Sequence, residues 1–233
     1  MGKNLVQQRR GRGTSTFKKT SFRWKGRAKL TGSGSYTVTD FIKCPIHTAP
    51  LAQIKYADGS EGLTLAHEGM CTGDSYSIGS KSIIPGHAVA LRDIPEGTSI
   101  FNIEGVPGDG GKFVRASGMS ARIVLRSADQ VVVRLPSKKQ KSFNPDCKAV
   151  IGLAAGGGRT EKPRMGAGRT FHRMKAKHTY WPITSGGSMN AVAHPMGNKR
   201  SSRKSKARPA PKNAPPGRMV GMIRPRRTGR KQR

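Results

Sequence analysis

The chain has 233 residues, with 44 Lys plus Arg against 12 Asp plus Glu, and 34% of its side chains are apolar. This composition leaves room for one or two small hydrophobic cores. No stretch favours a membrane protein, and the longest charge-free run near the end of the central segment, residues 149–158, is too short and too rich in glycine to span a bilayer.

The positive charge is concentrated at the two ends of the chain. Residues 35–158 carry 13 basic and 11 acidic residues, whereas residues 1–34 carry 10 basic and no acidic residues, and residues 159–233 carry 21 basic residues and one Glu. Such segments cannot collapse alone, because each cation would lose hydration without gaining an anion. We expect a dense polyanion to order them, and nucleic acid is favoured over a membrane surface.

Residues 1–34 are predicted to form a basic N-terminal arm. Phe17, Phe22 and Trp24 are interleaved there with Lys and Arg. Such rings stack on bases while neighbouring cations hold phosphates. The alternative, of similar weight, is that the rings fix the arm to the surface of the folded domain. The N-terminus lacks the apolar segment of a signal peptide, which predicts a cytoplasmic protein.

The central residues have the alternating pattern of short β-strands. Tyr36, Val38 and Phe41 begin the first set, and Asp58-Gly59 separates two further runs as a hairpin turn. We therefore predict a small barrel over residues 35–86. The remaining strands of this first set are predicted at residues 51–56, 63–66 and 76–78.

A second set of Val- and Ile-rich strands follows the dipeptide Pro85-Gly86. It predicts a second barrel over residues 87–158. Its strands are predicted at residues 89–91, 98–103, 121–127, 130–135 and 149–153.

The glycine-rich loop at residues 104–112 invites comparison with a phosphate-binding loop. Val106 stands where that pattern requires Gly, and Lys112 is followed by Phe113 rather than Ser or Thr. The loop is better interpreted as rigid, with glycines that let its backbone approach RNA closely.

Residues 159–233 are predicted to form a basic C-terminal extension. Gly166 and Gly168 are expected to break any helix, which predicts a flexible strap. Tyr180 and Trp181 follow, and Trp181 either stacks on a base or anchors the strap. Residues 186–197 contain His194 among glycines and have no helical or strand period, so a partner must order them.

Metal and cofactor sites are not expected. Cys44 and His47 have the spacing of half a zinc site, but no second pair follows at a usable distance. Three cysteines, odd in number and widely separated, argue against a disulfide framework, so we interpret them as buried or idle thiols.

Short motifs of a known family occur in order along the chain, at residues 7–11, 95–98, 104–112, 156–163, 188–195, 214–218 and 226–230. Together they resemble the universal L-two family of large-subunit ribosomal proteins, in its archaeal and eukaryotic form. The resemblance implies an all-β fold, with an OB-fold-like barrel followed by an SH3-like barrel and long basic extensions that thread the RNA. It also implies a position near the peptidyl transferase centre, neighbouring ribosomal proteins, and contact with the small subunit across an intersubunit bridge.

His194 matches the histidine of the family motif Met-Asn-Pro-Val-Asp-His-Pro-His-Gly-Gly-Gly. The neighbours differ, because Ala191 replaces Pro, Ala193 replaces the acid, and Met196 replaces the second His. An acid next to the histidine could fix the orientation of its ring, and this chain lacks that group. The sequence therefore favours a role in positioning RNA over one in proton transfer.

These features predict a structural, non-enzymatic protein of the large ribosomal subunit that binds large-subunit ribosomal RNA and has no small-molecule substrate. One alternative is a general nucleic-acid-binding or RNA-chaperone protein; another is a direct part in peptidyl transfer, with His194 as general base. The predicted RNA-binding residues are Arg9, Arg10, Arg12, Lys18, Lys19, Arg23, Lys25, Arg27, Lys112, Arg159, Lys162, Arg164, Arg169, Arg173, Lys175, Lys177, Asn190, His194, Lys199, Arg200, Arg203, Lys204, Arg218, Arg224, Arg226, Arg227 and Arg230.

Overall fold

The computed structural model describes residues 2–18, 23–198, 209–210 and 213–223. The chain divides into two compact units. The β unit is Phe22–Met165, and the terminal unit combines Met1–Ser21 with Gly166–Arg233.

The β unit contains ten strands in one continuous sheet, in the order β3-β2-β1-β4-β5-β10-β6-β7-β8-β9. Neighbours are antiparallel except β4 and β5, which pair in parallel at Ile78 and Ala88. The predicted all-β class, an OB-fold-like barrel followed by an SH3-like barrel, is confirmed. The strands are β1 Gly34–Ile42, β2 Leu51–Tyr56, β3 Glu61–Leu65, β4 Ser75–Ile78, β5 Ala88–Ala90, β6 Ser99–Phe101, β7 Ala121–Arg126, β8 Val131–Arg134, β9 Gln140–Phe143 and β10 Lys148–Ile151, with a 3₁₀ turn at Leu91–Asp93.

The hairpin predicted at Asp58-Gly59 joins β2 to β3. Gly59 has φ of +85°, which glycine adopts without a steric penalty. The Asp58 carboxylate accepts hydrogen bonds from the Ser60 hydroxyl at 2.6 Å and the Ser60 N–H at 2.9 Å. These bonds hold the pKa of Asp58 below its ordinary value. The turn therefore fixes the register of the hairpin.

Two hydrophobic clusters fill the β unit. The first is built on Leu51 and Ile54, with Trp24 packed against its edge. The second is built on Ile100 and Val131.

Gly86 precedes β5, where its positive φ and the Tyr76 ring leave no room for a Cβ atom. The chain can therefore pass from one strand set to the next only with glycine at this position.

Strand β9 was not predicted. Of its residues Gln140–Phe143, only Phe143 is buried, and the other three are exposed and polar. A strand with one inward side chain lacks the alternating pattern by which strands are recognised. It forms because β8 offers an edge with which it pairs from Val131 to Arg134.

The described residues of the terminal unit form helices α1 Val6–Gly11 and α2 Ala167–Ala176, with 3₁₀ turns at Ser15–Phe17 and Gly186–Ser188. Two short strands, β11 Pro209–Ala210 and β12 Met222–Ile223, pair in parallel. In the part of the chain that the structure describes, no helix is long and apolar enough to cross a membrane.

Helix α2 corrects the prediction of a flexible strap. Gly166 is the N-cap residue and lies outside the helix in an extended conformation, where glycine is tolerated. Gly168 lies in the first turn, where the helix has fewest hydrogen bonds to lose. The prediction was wrong because both glycines stand at the helix start rather than in its interior.

Candidate nucleic-acid interface

The loop at residues 186–197 is held by its own backbone. The N–H groups of Ala193 and His194 both donate to the Asn190 carbonyl, at 2.9 and 3.1 Å. Gly197 is buried against Asn190, and a Cβ atom there would overlap the Asn190 carbonyl group. The stretch therefore has a defined conformation in the structure, although it has no regular period.

The imidazole of His194 is half-buried and fixed from two sides. Its Nδ1 accepts a hydrogen bond from the Met196 N–H at 3.1 Å. The ring also lies against Gly186, where an added Cβ would overlap it. Because Nδ1 is an acceptor, the neutral ring carries its proton on Nε2 and can donate from that atom. The terminal unit contains no Asp or Glu, so no side-chain carboxylate within it orients the ring as a general base.

The N-terminal segment lies beside this loop. The Lys3 N–H donates to the Val192 carbonyl at 2.8 Å. Leu5 is buried, and its N–H donates to the Gln8 side chain at 2.9 Å, which caps α1. The two segments line a cleft of about 260 Å³. Sequence reasoning missed this contact because nothing local marks two segments so far apart in the chain as neighbours.

Four side chains from both ends of the chain form what we call the aromatic–arginine stack: Arg9, Arg10, Phe17 and Tyr180. The Phe17 and Tyr180 rings are stacked, with centroids 6.1 Å apart. The Arg9 guanidinium carbon lies 5.7 Å from the Tyr180 centroid, and that of Arg10 lies 5.9 Å from the Phe17 centroid. Nearby, His178 Nδ1 contacts the Lys18 carbonyl oxygen at 3.0 Å.

The arm's aromatic residues therefore pack within the protein where the structure describes them. Phe17 packs on Tyr180 and Trp24 packs on the first core of the β unit. Phe22 lies outside the described residues. Trp181 is half-buried.

Helix α2 carries several cationic side chains at fixed positions along its axis. Thr170 is its one buried residue, while Arg169 and Lys175 are exposed and Arg173 is half-buried. Arg169 and Arg173 are four residues apart and lie on one face of the helix. Because Arg173 and Lys175 lie in the last turn, they also match the negative end of the helix dipole.

Two carboxylates shape the loop at residues 104–112. Glu104 is only 3% exposed and accepts hydrogen bonds from the N–H groups of Gly108, Gly110 and Lys148 at 3.2, 3.2 and 2.8 Å. Asp109 accepts from three loop N–H groups. Burial alone would raise the pKa of Asp109, but these bonds and the bond to Lys112 hold it below its ordinary value. The two carboxylates therefore fix the conformation of the loop.

Lys112 and Arg115 follow this loop and differ in exposure. Lys112 is exposed and its ammonium lies 3.1 Å from an Asp109 carboxylate oxygen. Arg115 was not predicted as a functional residue; it donates to the carbonyls of Gly111 and Ala28, at 2.8 and 2.5 Å. Burial lowers its pKa. No sequence signal separates this structural arginine from the surface ones.

The predicted RNA-binding residues fall into three groups by exposure. Half-buried are Arg159, Arg173, Lys177 and His194, and Arg159 donates to the Ser117 hydroxyl at 3.0 Å. Outside the described residues lie Lys19, Lys199, Arg200, Arg203, Lys204, Arg224, Arg226, Arg227 and Arg230. Exposed are Arg9, Arg10, Arg12, Lys18, Arg23, Lys25, Arg27, Lys112, Lys162, Arg164, Arg169, Lys175, Asn190 and Arg218.

The cysteines are free thiols. Cys44 and Cys147 are buried and Cys71 is exposed. Among the described residues, no group of three or more His, Cys, Asp or Glu side chains is placed to hold a metal ion.

Comparison with known proteins adds to this geometry. Residues 84–214 match the family described as the C-terminal domain of ribosomal proteins L2. The large ribosomal subunit protein uL2 of Archaeoglobus fulgidus is 47% identical over 98% of this chain and 99% of its own length. The proteins of the same name from Haloarcula marismortui and Methanothermobacter thermautotrophicus are 45% and 43% identical, over 99% and 100% of this chain and 98% and 100% of their own lengths.

Fold and charge together define a class, that of β proteins with two successive barrels and strongly basic terminal extensions. Within that class, the identity over nearly the whole chain is decisive. The chain belongs to the uL2 family of large ribosomal subunit proteins.

Proposed function

We propose that this protein is a structural constituent of the large ribosomal subunit of cytoplasmic ribosomes and binds large-subunit ribosomal RNA. Membership of the uL2 family supports this role. The observation that carries it is the segregation of charge: the terminal unit has 24 basic and no acidic residues, while the β unit has 20 basic and 12 acidic residues. A unit without any internal counter-charge suits a partner that supplies phosphates throughout.

The terminal unit contributes most of the electrostatic affinity in this proposal. Its exposed Lys and Arg side chains neutralise phosphates and release counterions, while the barrels bind surface grooves of folded RNA. The glycines of the loop at residues 104–112 let its backbone approach RNA closely. Along the chain, the arm is residues 1–34, the barrels are residues 35–86 and 87–158, and the extension is residues 159–233.

The family resemblance supports a finer placement. The extension carrying His194 lies near the peptidyl transferase centre, and the protein supports assembly and subunit association beside neighbouring ribosomal proteins. The role is structural rather than enzymatic. The fixed Nδ1 and the absence of Asp and Glu from the terminal unit support His194 as a donor that positions RNA.

The salt dependence of RNA binding tests the electrostatic mechanism. The affinity of the full chain for Archaeoglobus fulgidus large-subunit RNA should fall by about a thousandfold or more between ~50 and ~200 mM salt. Replacing Arg169 and Lys175 with Gln should reduce the slope of log affinity against log salt by about 0.7 to 0.9 per residue. The matched control replaces Lys43 and Lys81, exposed cations of the β unit, with Gln and should leave the slope unchanged.

Two outcomes would refute this proposal. An affinity that hardly changes with salt would remove the electrostatic mechanism. Equal competition by unrelated RNA and DNA would favour a general nucleic-acid-binding protein, because a ribosomal role requires preference for one folded site.

Ribosomes carrying His194→Ala separate positioning from proton transfer. We expect defects in assembly or subunit joining, with peptide-bond formation near normal in correctly assembled particles. Correctly assembled particles with severely slowed chemistry would instead make His194 a catalytic group.

A further inference from the structure

We propose that the aromatic–arginine stack is a composite phosphate-binding site, built from both ends of the chain, in which Tyr180 and Phe17 orient Arg9 and Arg10 toward the phosphates of RNA. The inference rests on the proposed function and adds to it a defined site and a division of labour. Arg9 and Arg10 touch the ligand, and the two rings are positioning residues.

The guanidinium groups of Arg9 and Arg10 lie within cation–π distance of the rings, and each carries five N–H donors in its plane. Arg9 and Arg10 are exposed, and neither guanidinium donates a hydrogen bond to a described residue. Their donor edges are therefore available for the paired oxygens of a phosphate.

Aromatic rings, and not carboxylates, hold these two arginines. The terminal unit has no Asp or Glu, so no side-chain ion pair within it competes with a phosphate for either guanidinium. An aromatic face restrains the side chain without neutralising it. The arginines thus keep their full charge and lose less conformational freedom when RNA binds.

The site is composite, because its residues come from two distant segments of the chain. Arg9, Arg10 and Phe17 come from the N-terminal segment, and Tyr180 comes from the segment after α2. Two further contacts join the same segments, from Lys3 to Val192 and between Lys18 and His178. Neither segment alone can form the site.

The test separates charge from orientation, using the full chain and Archaeoglobus fulgidus large-subunit RNA across a range of salt concentrations. Tyr180→Ala keeps every charge, so affinity should fall by about tenfold with an unchanged salt slope. Tyr180→Phe keeps the ring and should bind like the native chain. Changing Arg9 and Arg10 together to Gln should reduce the slope by about 1.5.

Two further variants keep the test decisive if Tyr180→Ala disturbs folding. Changing Arg9 and Arg10 to Lys keeps the charge but removes the planar donor edge, so affinity should fall with the slope unchanged. Phe171→Ala removes an exposed ring of α2 that lies outside the stack and should have no effect.

Each outcome either supports or overturns the inference. Equal affinities of Tyr180→Ala and Tyr180→Phe, with steep salt dependence in the native chain, would overturn the composite site and leave the proposed function standing. A reduced slope in Tyr180→Ala would also overturn it, since orientation alone cannot change the number of phosphates neutralised. A native chain that does not bind this RNA overturns both proposals.

Discussion

The surroundings of two histidines of the β unit, His47 and His87, disfavour the protonated, positively charged ring. His87 Nδ1 contacts the Ser77 hydroxyl at 2.8 Å, and burial, with a smaller contribution from His67, lowers the pKa of His87. Burial also lowers the pKa of His47, and the positive charge of Arg115 adds to that effect. Each ring therefore binds its proton less tightly in the folded chain than in the unfolded chain.

This difference predicts how stability depends on pH. Above the unfolded value of about 6.5 both histidines are neutral in both states, and their effect on stability is constant. As pH falls below that value, the unfolded chain binds protons first, so the free energy of unfolding decreases. We expect the melting temperature of the RNA-free protein to fall between about pH 7.5 and about pH 5.5.

The control for this prediction is the double variant His87→Gln and His47→Gln, whose melting temperature should vary less over the same range. The shifted carboxylates Asp58, Asp74 and Asp109 have lowered pKa values and act at more acidic pH, outside this window. A native chain that becomes more stable on acidification would contradict the prediction.

For individual residues, the sequence predicted which side chains carry charge but not which contacts each side chain makes. The residues alone made His194 a candidate functional residue and showed Ala193 where the family motif has an acid. The contact of its ring with Gly186, and the structural role of Arg115, depend on the folded backbone. Lysines and arginines have the same composition signal whether they face solvent or a buried carbonyl.

At the scale of elements, local chemistry predicted the structure well where one residue dictates a backbone conformation. The Asp58-Gly59 turn and the Val- and Ile-rich strands were predicted because turn and alternation are local properties. Strand β9 was missed because it forms by pairing with the edge of β8, which no local pattern reveals. Helix α2 was missed because the effect of its glycines depends on where the helix begins. Gly168 shows this, since its effect depends on where α2 begins.

The substitution of Gly by Ala should have opposite effects on stability at two positions, Gly168 in α2 and Gly118 in the β unit. Gly168→Ala should stabilise α2 by up to about 1 kcal/mol, because the position has no positive φ and open space around it. Gly118→Ala should destabilise the β unit by about 1 kcal/mol or more, since Gly118 has φ of +68° and an added Cβ would lie 2.6 Å from the Gly157 Cα.

Hydrogen exchange of the α2 amides, with the melting temperature of the β unit, measures both effects. Slower exchange in α2 for Gly168→Ala and a lower melting temperature for Gly118→Ala are the expected results. If Gly168→Ala accelerated exchange in α2, the interpretation of Gly168 as a first-turn helical residue would be wrong.

For the whole molecule, the sequence predicted a near-neutral centre with basic ends, and the structure gives the ends an internal arrangement. The terminal unit joins segments from both ends, which composition cannot predict because contact between distant segments leaves no local pattern. The terminal unit has 24 basic and no acidic residues, so repulsion among its own positive charges opposes its compact arrangement. The β unit has acidic residues throughout and does not share this repulsion to the same degree.

Salt concentration should therefore affect the stability of the terminal unit more than that of the β unit. In the RNA-free protein at low salt, the amides of α1 and α2 should exchange rapidly, because unscreened repulsion opposes the contacts around the aromatic–arginine stack. Adding large-subunit RNA should slow their exchange by at least about tenfold, while the strands of the β unit change little. Tyr180→Ala should reduce the protection of α1 more than that of β2 and β8. Equal protection of α1, α2 and the β strands in low salt without RNA would show that the terminal unit needs no polyanion, contrary to the charge argument.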